Sequence, residues 1–382
     1  MKINDFMSVL TELGGDFYTG VPDSLLSPFC DYIMETYGIS NKHIVAANEG
    51  AAVGLGAGRT LATGNPSVVY MQNSGLGNAV NPICSLLKLY DIPTIFVIGW
   101  RGEPGIPDEP QHTFQGKITL PLLDCLEIPY TVIGSESDTN QDSIYDGITD
   151  DIRAFKALLE QGKSVAFVIK KSALKSDIKV KYSSQATLSR EDTLKLILQD
   201  SGPRDVFVCT TGKLSREVFE IRVNQGSGHE RDFLTVGSMG HSLMIAHGIA
   251  LVQPDKTVFC LDGDGAAIMH LGSLAVVGAH SPTNLVHVVI NNGAHETVGG
   301  MPVVSEKLNM AQMAQTLGYR HVFRATTKSD VRQVLAQLAT LKGPIFIEAV
   351  SNLVSRKDLG RPTTTPLENK AALMDFLSKQ LD

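Results

Sequence analysis

The chain has 382 residues, of which 43% are hydrophobic and 19% are charged, and its formal net charge is −7. This composition indicates a globular protein large enough for two domains, and no basic run interleaved with aromatic residues marks a nucleic-acid surface. The N-terminal residues lack the charged-then-apolar plan of a signal peptide, and no apolar stretch reaches the ~18 residues of a membrane span. We therefore expect a cytoplasmic protein without nucleic-acid or membrane partners.

The first half of the sequence alternates short apolar runs with helical patterns, as an α/β domain does. Asn4 is expected to cap a short helix over residues 5–13. A helix rich in small residues follows Asn48, where ANEGAAVGLGAG permits close helix packing. The other elements that we predict are strands at 16–22, 43–46, 67–71, 94–98 and 164–169, and a helix at 24–37.

The order of strands and glycine-rich loops repeats when the sequence is shifted by about 190 residues. Residues 17–20 then fall on 207–210, and 67–78 fall on 257–268. The run at 92–100 lies against 284–292, and the run at 164–170 against 343–349. The fold class that we predict is α/β, with two homologous doubly wound domains, each built on a parallel sheet.

The predicted boundaries place the first domain at residues 1–175, a linker at 176–190 and the second domain at 191–382. The linker is charged and rich in serine, and Ser189 with Asp192 three residues later marks the next helix start. The C-terminal segment contains Gly360, Pro362 and Pro366 and cannot be a single helix. A lid and a surface coil are equally compatible with it. Five widely spaced cysteines in apolar surroundings are expected to be buried free thiols.

Polar loops follow two neighbouring strands of the second domain. Asp262-Gly263-Asp264-Gly265 follows the first, and Asn291-Asn292-Gly293 follows the next. The carboxyl ends of parallel strands share one edge of the sheet, so these loops should meet there. Carboxylate, amide and carbonyl oxygens suit Mg²⁺, glycine lets a phosphorylated ligand approach, and a helix starting near Ala266 would direct free N–H groups at an anion. The expected contacts are Gly263, Asp264, Gly265, Ala266, Asn292 and Ala294, with Asp264, Asn292 and the Ala294 carbonyl as metal ligands.

This stretch resembles the diphosphate-binding motif of thiamine-diphosphate enzymes, Gly-Asp-Gly followed about 25 residues later by Asn-Asn. In decarboxylases of that superfamily, a Glu in the context of Glu49 hydrogen-bonds N1′ of the aminopyrimidine. The resemblance also implies that an apolar residue in a Gly-x-x-Gly turn separates the two cofactor rings. Gly237-Ser238-Met239-Gly240 places Met239 in that position. The implied cofactors are thiamine diphosphate and Mg²⁺.

Further candidates lie near predicted strand ends of the first half. Asp23 and His112, together with His295 of the second half, are candidates for the proton-transfer steps. Arg101 lies in a long loop rich in Gly and Pro, and its guanidinium suits a phosphonate or sulfonate. Arg356, Lys357 and Arg361 are further cations for such a group. The expected substrate contacts are Ser24, Asn73, Ser74 and Arg101.

Nearly the whole chain resembles the phosphonopyruvate decarboxylase family. The segments that carry this resemblance are GVPDSLL, QNSGLGNAVNP, WRGEPGIPDEPQHTFQG, LDGDGAAIMHLGSLA, NNGAHETVGGMP and SRKDLGRP. It implies conversion of 3-phosphonopyruvate to phosphonoacetaldehyde and CO₂, and an architecture without the middle domain of many relatives. It also implies a homo-oligomer, at least a dimer, with active sites at the subunit interface.

Four other functions compete with this interpretation. Sulfopyruvate decarboxylase differs in the anionic head of its substrate, and an acetolactate-synthase-like ligase is a more distant possibility. A non-catalytic cofactor-binding subunit is disfavoured because Glu49, Asp264 and Asn292 are all present. A nicotinamide enzyme is disfavoured because neither half has G-x-G-x-x-G after its first strand with an acidic residue about 20 positions on.

Overall fold

A computed structural model describes residues 1–134 and 144–379. The chain divides into two compact units, Met1–Lys181 and Tyr182–Asp382, hereafter unit 1 and unit 2. Each unit contains a six-stranded, all-parallel sheet with helices packed beside it, so the predicted α/β class is confirmed. Over the two described ranges, no helix combines the length and the apolar character needed to cross a membrane.

Unit 1 is built on strands β1 to β6. Its elements are α1 (Ile3–Glu12), β1 (Tyr18–Gly20), α2 (Ser27–Tyr37), β2 (His43–Val45), α3 (Glu49–Thr63), β3 (Ser67–Gln72), α4 (Leu76–Pro82), β4 (Thr94–Gly99), α5 (Pro110–Cys125), β5 (Tyr130–Ile133), α6 (Ile144–Glu160) and β6 (Val165–Ile169). The central strands β3, β4 and β6 are almost wholly buried, because helices cover both faces of the sheet.

Unit 2 repeats this plan with strands β7 to β12. Its elements are α7 (Arg190–Asp200), β7 (Val206–Cys209), α8 (Lys213–Asn224), β8 (Asp232–Leu234), α9 (Ser242–Val252), β9 (Val258–Gly263), α10 (Asp264–Met269), α11 (Gly272–His280), β10 (Leu285–Asn291), α12 (Met310–Thr316), β11 (His321–Ala325), α13 (Lys328–Leu338), β12 (Ile345–Val350) and α14 (Pro366–Ser378). Its core of aliphatic and aromatic side chains runs from Leu188 to Ala349.

The two sheets have the same strand order. In unit 1 the order is β2-β1-β3-β4-β6-β5, and in unit 2, read from the matching edge, it is β8-β7-β9-β10-β12-β11. Every strand of unit 1 thus has a counterpart at the same position of the other sheet. This agrees with the repeat seen in the sequence, and it places the ends of β3 and β4 in positions equivalent to the ends of β9 and β10.

Helix α3 begins at Glu49 for a local reason. The side chain of Asn48 accepts a hydrogen bond from the backbone N–H of Ala51 at 2.8 Å, which caps the first turn. Glycine at position 56 then allows the helix to pack closely on β3, since a Cβ there would lie 3.2 Å from the Cβ of Ser67. These two features set Glu49 at the start of a helix, directly after β2.

Several sequence expectations were wrong in detail. Helix α1 begins at Ile3 with Lys2 before it, so Asn4 lies inside the helix and does not cap it. Strand β5 was missed, since it is a short edge strand whose residues are mostly only half-buried. Cys84 and Cys125 are exposed rather than buried, although all five cysteines are free. Ser189 does cap α7 through Asp192, as predicted.

Candidate functional site

Asp264 is a buried carboxylate at the end of β9. Its Oδ2 accepts hydrogen bonds from the Ser305 hydroxyl and from the backbone N–H of Gly293, the latter at 3.0 Å. Both donors are neutral, and burial raises the pKa of Asp264 to about 6. The helix after the strand begins at Asp264 itself, not near Ala266 as predicted. A buried carboxylate in such surroundings favours a bound cation, which would compensate its charge.

The loop after β10 lies directly against Asp264 through that Gly293 contact. Within the loop, Asn292 Oδ1 accepts a hydrogen bond from the Ala294 N–H at 3.0 Å, and Asn292 Nδ2 donates to Glu296 Oε2 at 3.3 Å. The Ala294 carbonyl accepts from the Glu296 N–H at 2.9 Å. Both oxygens keep a second lone pair for a metal. The three predicted metal ligands therefore come from two adjoining loops.

Backbone space for a phosphorylated ligand exists at the first of these loops. A Cβ added to Gly263 would meet no atom of the described residues within 4 Å, whereas one added to Gly265 would approach His295 Cε1 at 3.3 Å and Met239 Cε at 3.5 Å. Met239, Gly265 and His295, which are far apart in sequence, are thus neighbours. Burial lowers the pKa of His295 to about 4, so its imidazole is neutral near pH 7.

The Gly237-to-Gly240 turn brings in two histidines that sequence reasoning missed. Ser238 has a left-handed φ of 55°, and its hydroxyl lies 3.1 Å from His241 Nδ1. A Cβ at Gly240 would lie 2.6 Å from His270 Cδ2, so this glycine is required by close packing. The rings of His241 and His270 are 4.4 Å apart, and burial, followed by His241, lowers the pKa of His270. The available signal was their position, since His241 directly follows Gly240 and His270 directly follows the helix that starts at the motif of residues 262–265.

Glu49 belongs to unit 1, and its side chain is buried. Asn78, in α4, donates to Glu49 Oε2 at 2.8 Å. The carboxylate also lies against Gly75, where an added Cβ would come within 2.5 Å of Glu49 Oε1. Glu49 is thus positioned by the turn and helix that follow β3. Asn78 was missed as its partner, although it lies in the same QNSGLGN stretch that the repeat had singled out.

Asp23 is a second buried acid of unit 1. Burial is the main reason that its pKa is raised to about 6, against a smaller lowering by Arg101. Asp23 Oδ2 accepts from the Leu25 N–H at 3.1 Å, and Oδ1 has no hydrogen-bond partner among the described residues. Glycine at position 99, the end of β4, makes room for it, since a Cβ there would lie 2.4 Å from Asp23 Oδ2.

Arg101 is paired with Asp108, a residue that sequence reasoning missed. Arg101 Nε donates to Asp108 Oδ2 at 2.8 Å, its Nη2 donates to Oδ1, and its Nη1 reaches the Ser24 hydroxyl at 3.2 Å. The hydrogen bonds from Arg101 hold the pKa of Asp108 well below its usual range. Two of the guanidinium nitrogens expected to bind the substrate, Nε and Nη2, therefore bind a carboxylate of the same loop instead. The third nitrogen, Nη1, faces Ser24 and is the part of Arg101 that a substrate could still contact.

His112 and Asn73 complete this group. His112 is buried, its Nδ1 lacks a partner within the described part of the chain, and burial followed by Arg101 lowers its pKa. Asn73 is also buried, but its amide is used internally. It donates to the Arg101 carbonyl and to Thr119 and accepts from the Arg101 N–H. Ser74 accepts from Gln72 Nε2 at 2.7 Å. Asn73 therefore joins the ends of β3 and β4.

Arg356, one of the C-terminal cations, is paired within unit 2. Arg356 bonds Glu191 through Nε at 3.0 Å, and it also pairs with Glu220 and Asp358. Its guanidinium thus fastens the segment between β12 and α14 to helices of its own unit. The expectation that Arg356 is available for an anionic substrate finds no support in this arrangement.

Two family descriptions match the chain. Residues 3–122 match the N-terminal TPP binding domain of thiamine pyrophosphate enzymes, and residues 211–349 match the C-terminal TPP binding domain of the same enzymes. The first match includes Asp23, Glu49 and His112, and the second includes Asp264 and Asn292. The two groups of polar residues thus fall within the two cofactor-binding regions.

The chain is similar to curated proteins over nearly its full length. It is 35% identical to phosphonopyruvate decarboxylase of Streptomyces viridochromogenes over 374 residues, covering 95% of this chain and 92% of that protein. It is 32% identical to phosphonopyruvate decarboxylase of Streptomyces hygroscopicus, covering 99% of this chain and 94% of that protein. With sulfopyruvate decarboxylase of Methanosarcina acetivorans the identity is 23%, covering 90% of this chain and 89% of that protein.

Proposed function

The chain belongs to the phosphonopyruvate decarboxylase family of thiamine pyrophosphate enzymes and is a thiamine-diphosphate-dependent decarboxylase of 2-oxo acids; from this premise we propose that its substrate is 3-phosphonopyruvate and its metal Mg²⁺. The products would be phosphonoacetaldehyde and CO₂. The observation that carries the substrate assignment is the similarity to two phosphonopyruvate decarboxylases at 32–35% identity over nearly the whole chain. When bound, thiamine diphosphate supplies the electron sink for loss of CO₂.

In this proposal, unit 2 holds Mg²⁺ and the diphosphate. Asp264 supplies a carboxylate, Asn292 its amide oxygen and Ala294 its carbonyl, a set of oxygen donors that Mg²⁺ accepts. The raised pKa of Asp264 supports this role, because the described residues offer its buried charge only neutral hydrogen-bond donors. The open backbone at Gly263 and the contacts around Gly265 fit a ligand that approaches the main chain.

Unit 1 would supply the acid-base groups. Glu49 would hydrogen-bond N1′ of the aminopyrimidine, where a buried carboxyl group can assist proton transfer at the cofactor. The pKa of Asp23, about 6, lies close to neutral pH, and the lowered pKa of His112 keeps its imidazole neutral there, so both groups can exchange a proton with a reacting group. His295 and Met239 border Gly265 in unit 2, which suits Met239 for a contact with the cofactor rings.

The anionic head of the substrate would contact Ser24 and the Nη1 edge of Arg101. Asp108 fixes the orientation of this guanidinium, and the Nη1 donor that reaches Ser24 points away from that ion pair. Ser74 is a further hydroxyl at the end of β3. We also propose a homo-oligomer of at least two chains, in which groups from both kinds of unit complete each active site.

The test is CO₂ release from phosphonopyruvate with and without thiamine diphosphate and Mg²⁺, with sulfopyruvate and pyruvate as parallel substrates. Release that requires both cofactors and has its highest kcat/KM with phosphonopyruvate is the expected result. A higher kcat/KM with sulfopyruvate would move the assignment to the second candidate, which the resemblance to the Methanosarcina acetivorans enzyme supports. Turnover that is independent of divalent metal would contradict the proposed role of Mg²⁺.

A further inference from the structure

Glu296 links the Asn292 loop to a cluster of charges that the proposed reaction does not use. Its Oε2 accepts from Asn292 Nδ2 at 3.3 Å and from Arg190 Nη1, and its Oε1 accepts from Lys213 Nζ at 3.0 Å. The side chain of Glu296 is only 9% exposed. The carboxylate forms ion pairs with two cations, Arg190 and Lys213. Glu296 is therefore a fixed anion beside Asn292.

The cations of this cluster are themselves held in place. Both Nε and Nη2 of Arg190 donate to Glu217, each at 2.7 Å, in a buried two-point ion pair. Lys213 Nζ also donates to the Ser355 hydroxyl at 2.8 Å. Two cations and two carboxylates thus balance, so the cluster has no net charge. A balanced network of short contacts gives Glu296 a defined position, although it begins only a short 3₁₀ turn, Glu296–Val298.

Glu296 and the Ala294 N–H bind opposite sides of the Asn292 amide and together determine its orientation. Because the carboxylate can only accept hydrogen bonds, it requires the NH₂ group of Asn292 on its side. The amide oxygen is then on the opposite side, where it meets the Ala294 N–H and retains a lone pair. Without Glu296, the NH₂ group loses this acceptor, and the single hydrogen bond from the Ala294 N–H is left to hold the amide in place.

We propose that Glu296 is a positioning residue that orients the Asn292 amide oxygen toward the divalent metal, and that the Arg190–Glu217–Lys213 cluster holds Glu296 for this task. This inference rests on the proposed role of Asn292 as a metal ligand. Groups that orient metal ligands without touching the metal typically change metal affinity by about 10–100-fold when they are replaced. Glu296 acts through Asn292, so its loss weakens metal binding before it affects any proton transfer.

The experiment titrates Mn²⁺ into the full-length apoprotein with saturating thiamine diphosphate and measures bound metal by electron paramagnetic resonance. Glu296→Leu removes the hydrogen-bond acceptor of Asn292, so half-saturation should require an Mn²⁺ concentration about 10-fold or more above that of wild type. Glu296→Asp keeps the charge but withdraws the carboxylate from Asn292, so a smaller loss in the same direction is expected. Thermal unfolding of each metal-free variant shows whether it is folded. If Glu296→Leu does not fold, Glu296→Asp still tests the inference.

Glu220→Gln is the matched control. Glu220 accepts from Arg356 and from the Gly360 N–H, so it anchors the same C-terminal segment that contains Ser355, but it has no contact with Asn292. Its metal affinity is expected to stay within about 2-fold of wild type. An equal loss of metal affinity in Glu220→Gln would overturn the inference, because the loss would then be caused by a change in the C-terminal segment and not by the contact with Asn292. Unchanged Mn²⁺ affinity in the folded Glu296 variants would overturn it as well.

The same titration separates the two proposals. Wild-type protein that binds no Mn²⁺ in the presence of thiamine diphosphate would reject the metal site itself, and the role of Glu296 with it. Wild-type binding that Asp264→Ala abolishes and the Glu296 variants leave intact would reject only the role of Glu296.

Discussion

The two units share a strand order but differ in the residues at the carboxyl ends of equivalent strands. After β3 and β4, unit 1 presents Asn73, Ser74 and Arg101. Asn73 bonds to the Arg101 backbone, and the Arg101 side chain pairs with Asp108. After β9 and β10, unit 2 presents Asp264 and Asn292, whose oxygens meet neutral donors. One scaffold thus positions an ion pair with its hydrogen-bonded neighbours in one unit and a set of oxygen atoms with neutral partners in the other.

The repeated fold therefore sets where the residues at the strand ends lie, whereas the loop sequences determine which chemical groups are present there. In unit 1 the buried acid Asp23 is enclosed by its own chain, because Gly99 leaves just enough room for it. In unit 2 the strand-end Gly263 faces open space within the described residues. We therefore expect substitutions in unit 2 to affect binding of metal and cofactor, and substitutions in unit 1 to affect turnover or stability.

The largest effect is expected for Asp264→Ala. Loss of the buried carboxylate removes the strongest proposed metal ligand, so binding of both Mg²⁺ and thiamine diphosphate should fall below detection, and turnover with it. Isothermal titration of the apoprotein with thiamine diphosphate and Mg²⁺ measures this directly. Since burial raises the pKa of Asp264, the metal-free variant should be folded and no less stable than wild type. Retained cofactor binding would remove Asp264 from the site.

Glu49→Gln should give the opposite pattern. Glutamine preserves the shape of the side chain and can still accept from Asn78, so the local packing at Gly75 is kept. Loss of the carboxyl proton-transfer function should lower kcat by about 10²–10⁴-fold, while thiamine diphosphate still binds. Steady-state kinetics and the same titration measure the two quantities. A variant that lost binding but kept kcat at saturation would contradict the division between the units.

The sequence predicted the fold well because its signals are local. Buried parallel strands produce continuous apolar runs, and the loops after them contain glycine and polar residues at recognisable positions. The repeat of these runs was sufficient to predict two equivalent sheets. Strand β5 and the start of α1 were missed because an edge strand is short and a helix start depends on backbone geometry that no single residue fixes.

The site was predictable only where one residue type carries the chemistry. Asp264 and Asn292 stand out because carboxylate and amide oxygens follow adjacent strands. Their supporting partners Ser305 and Glu296 do not, since a hydroxyl or a carboxylate in a loop has no distinguishing pattern. Asp108 was missed for the same reason, so the Arg101 guanidinium was expected to contact the substrate without an internal partner being foreseen. Long-range pairing is a property of the folded chain and leaves little trace in a single sequence.

Asp23→Asn tests whether the ionised side chain of buried Asp23 lowers the free energy of unfolding. The folded-state pKa of about 6 lies above the ordinary value of 3.8, so protonated Asp23 stabilises the fold at low pH, and this contribution is lost as pH rises to about 6. Asparagine stays neutral, so the variant should be more stable than wild type at pH 8 by up to about 3 kcal/mol. Urea unfolding at pH 8 and at pH 4 measures the difference, which should nearly vanish at pH 4. A difference that does not depend on pH would exclude the titration of Asp23 as its cause.

The smallest effects come from the strand-end glycines, and they separate the two units most sharply. In Gly99→Ala the new methyl group would lie 2.4 Å from Asp23 Oδ2 and 3.2 Å from Leu26 Cγ, so the acid must move. We expect a loss of about 1–3 kcal/mol in the free energy of unfolding. In Gly263→Ala the methyl group meets no described atom within 4 Å, so apoprotein stability should change by no more than about 0.5 kcal/mol.

For cofactor binding, the order of the two glycine variants should be the reverse of their order for stability. If the diphosphate approaches the backbone at Gly263, the added methyl group occupies that space, and Gly263→Ala should weaken binding of thiamine diphosphate while its apoprotein unfolds like wild type. Gly99→Ala should bind the cofactor normally once folded. Urea unfolding of the apoproteins and isothermal titration with thiamine diphosphate and Mg²⁺ give both quantities for both variants. Equal cofactor affinity in the two variants would mean that the open space at Gly263 is not where the ligand lies, because only a ligand at that loop makes the methyl group unfavourable.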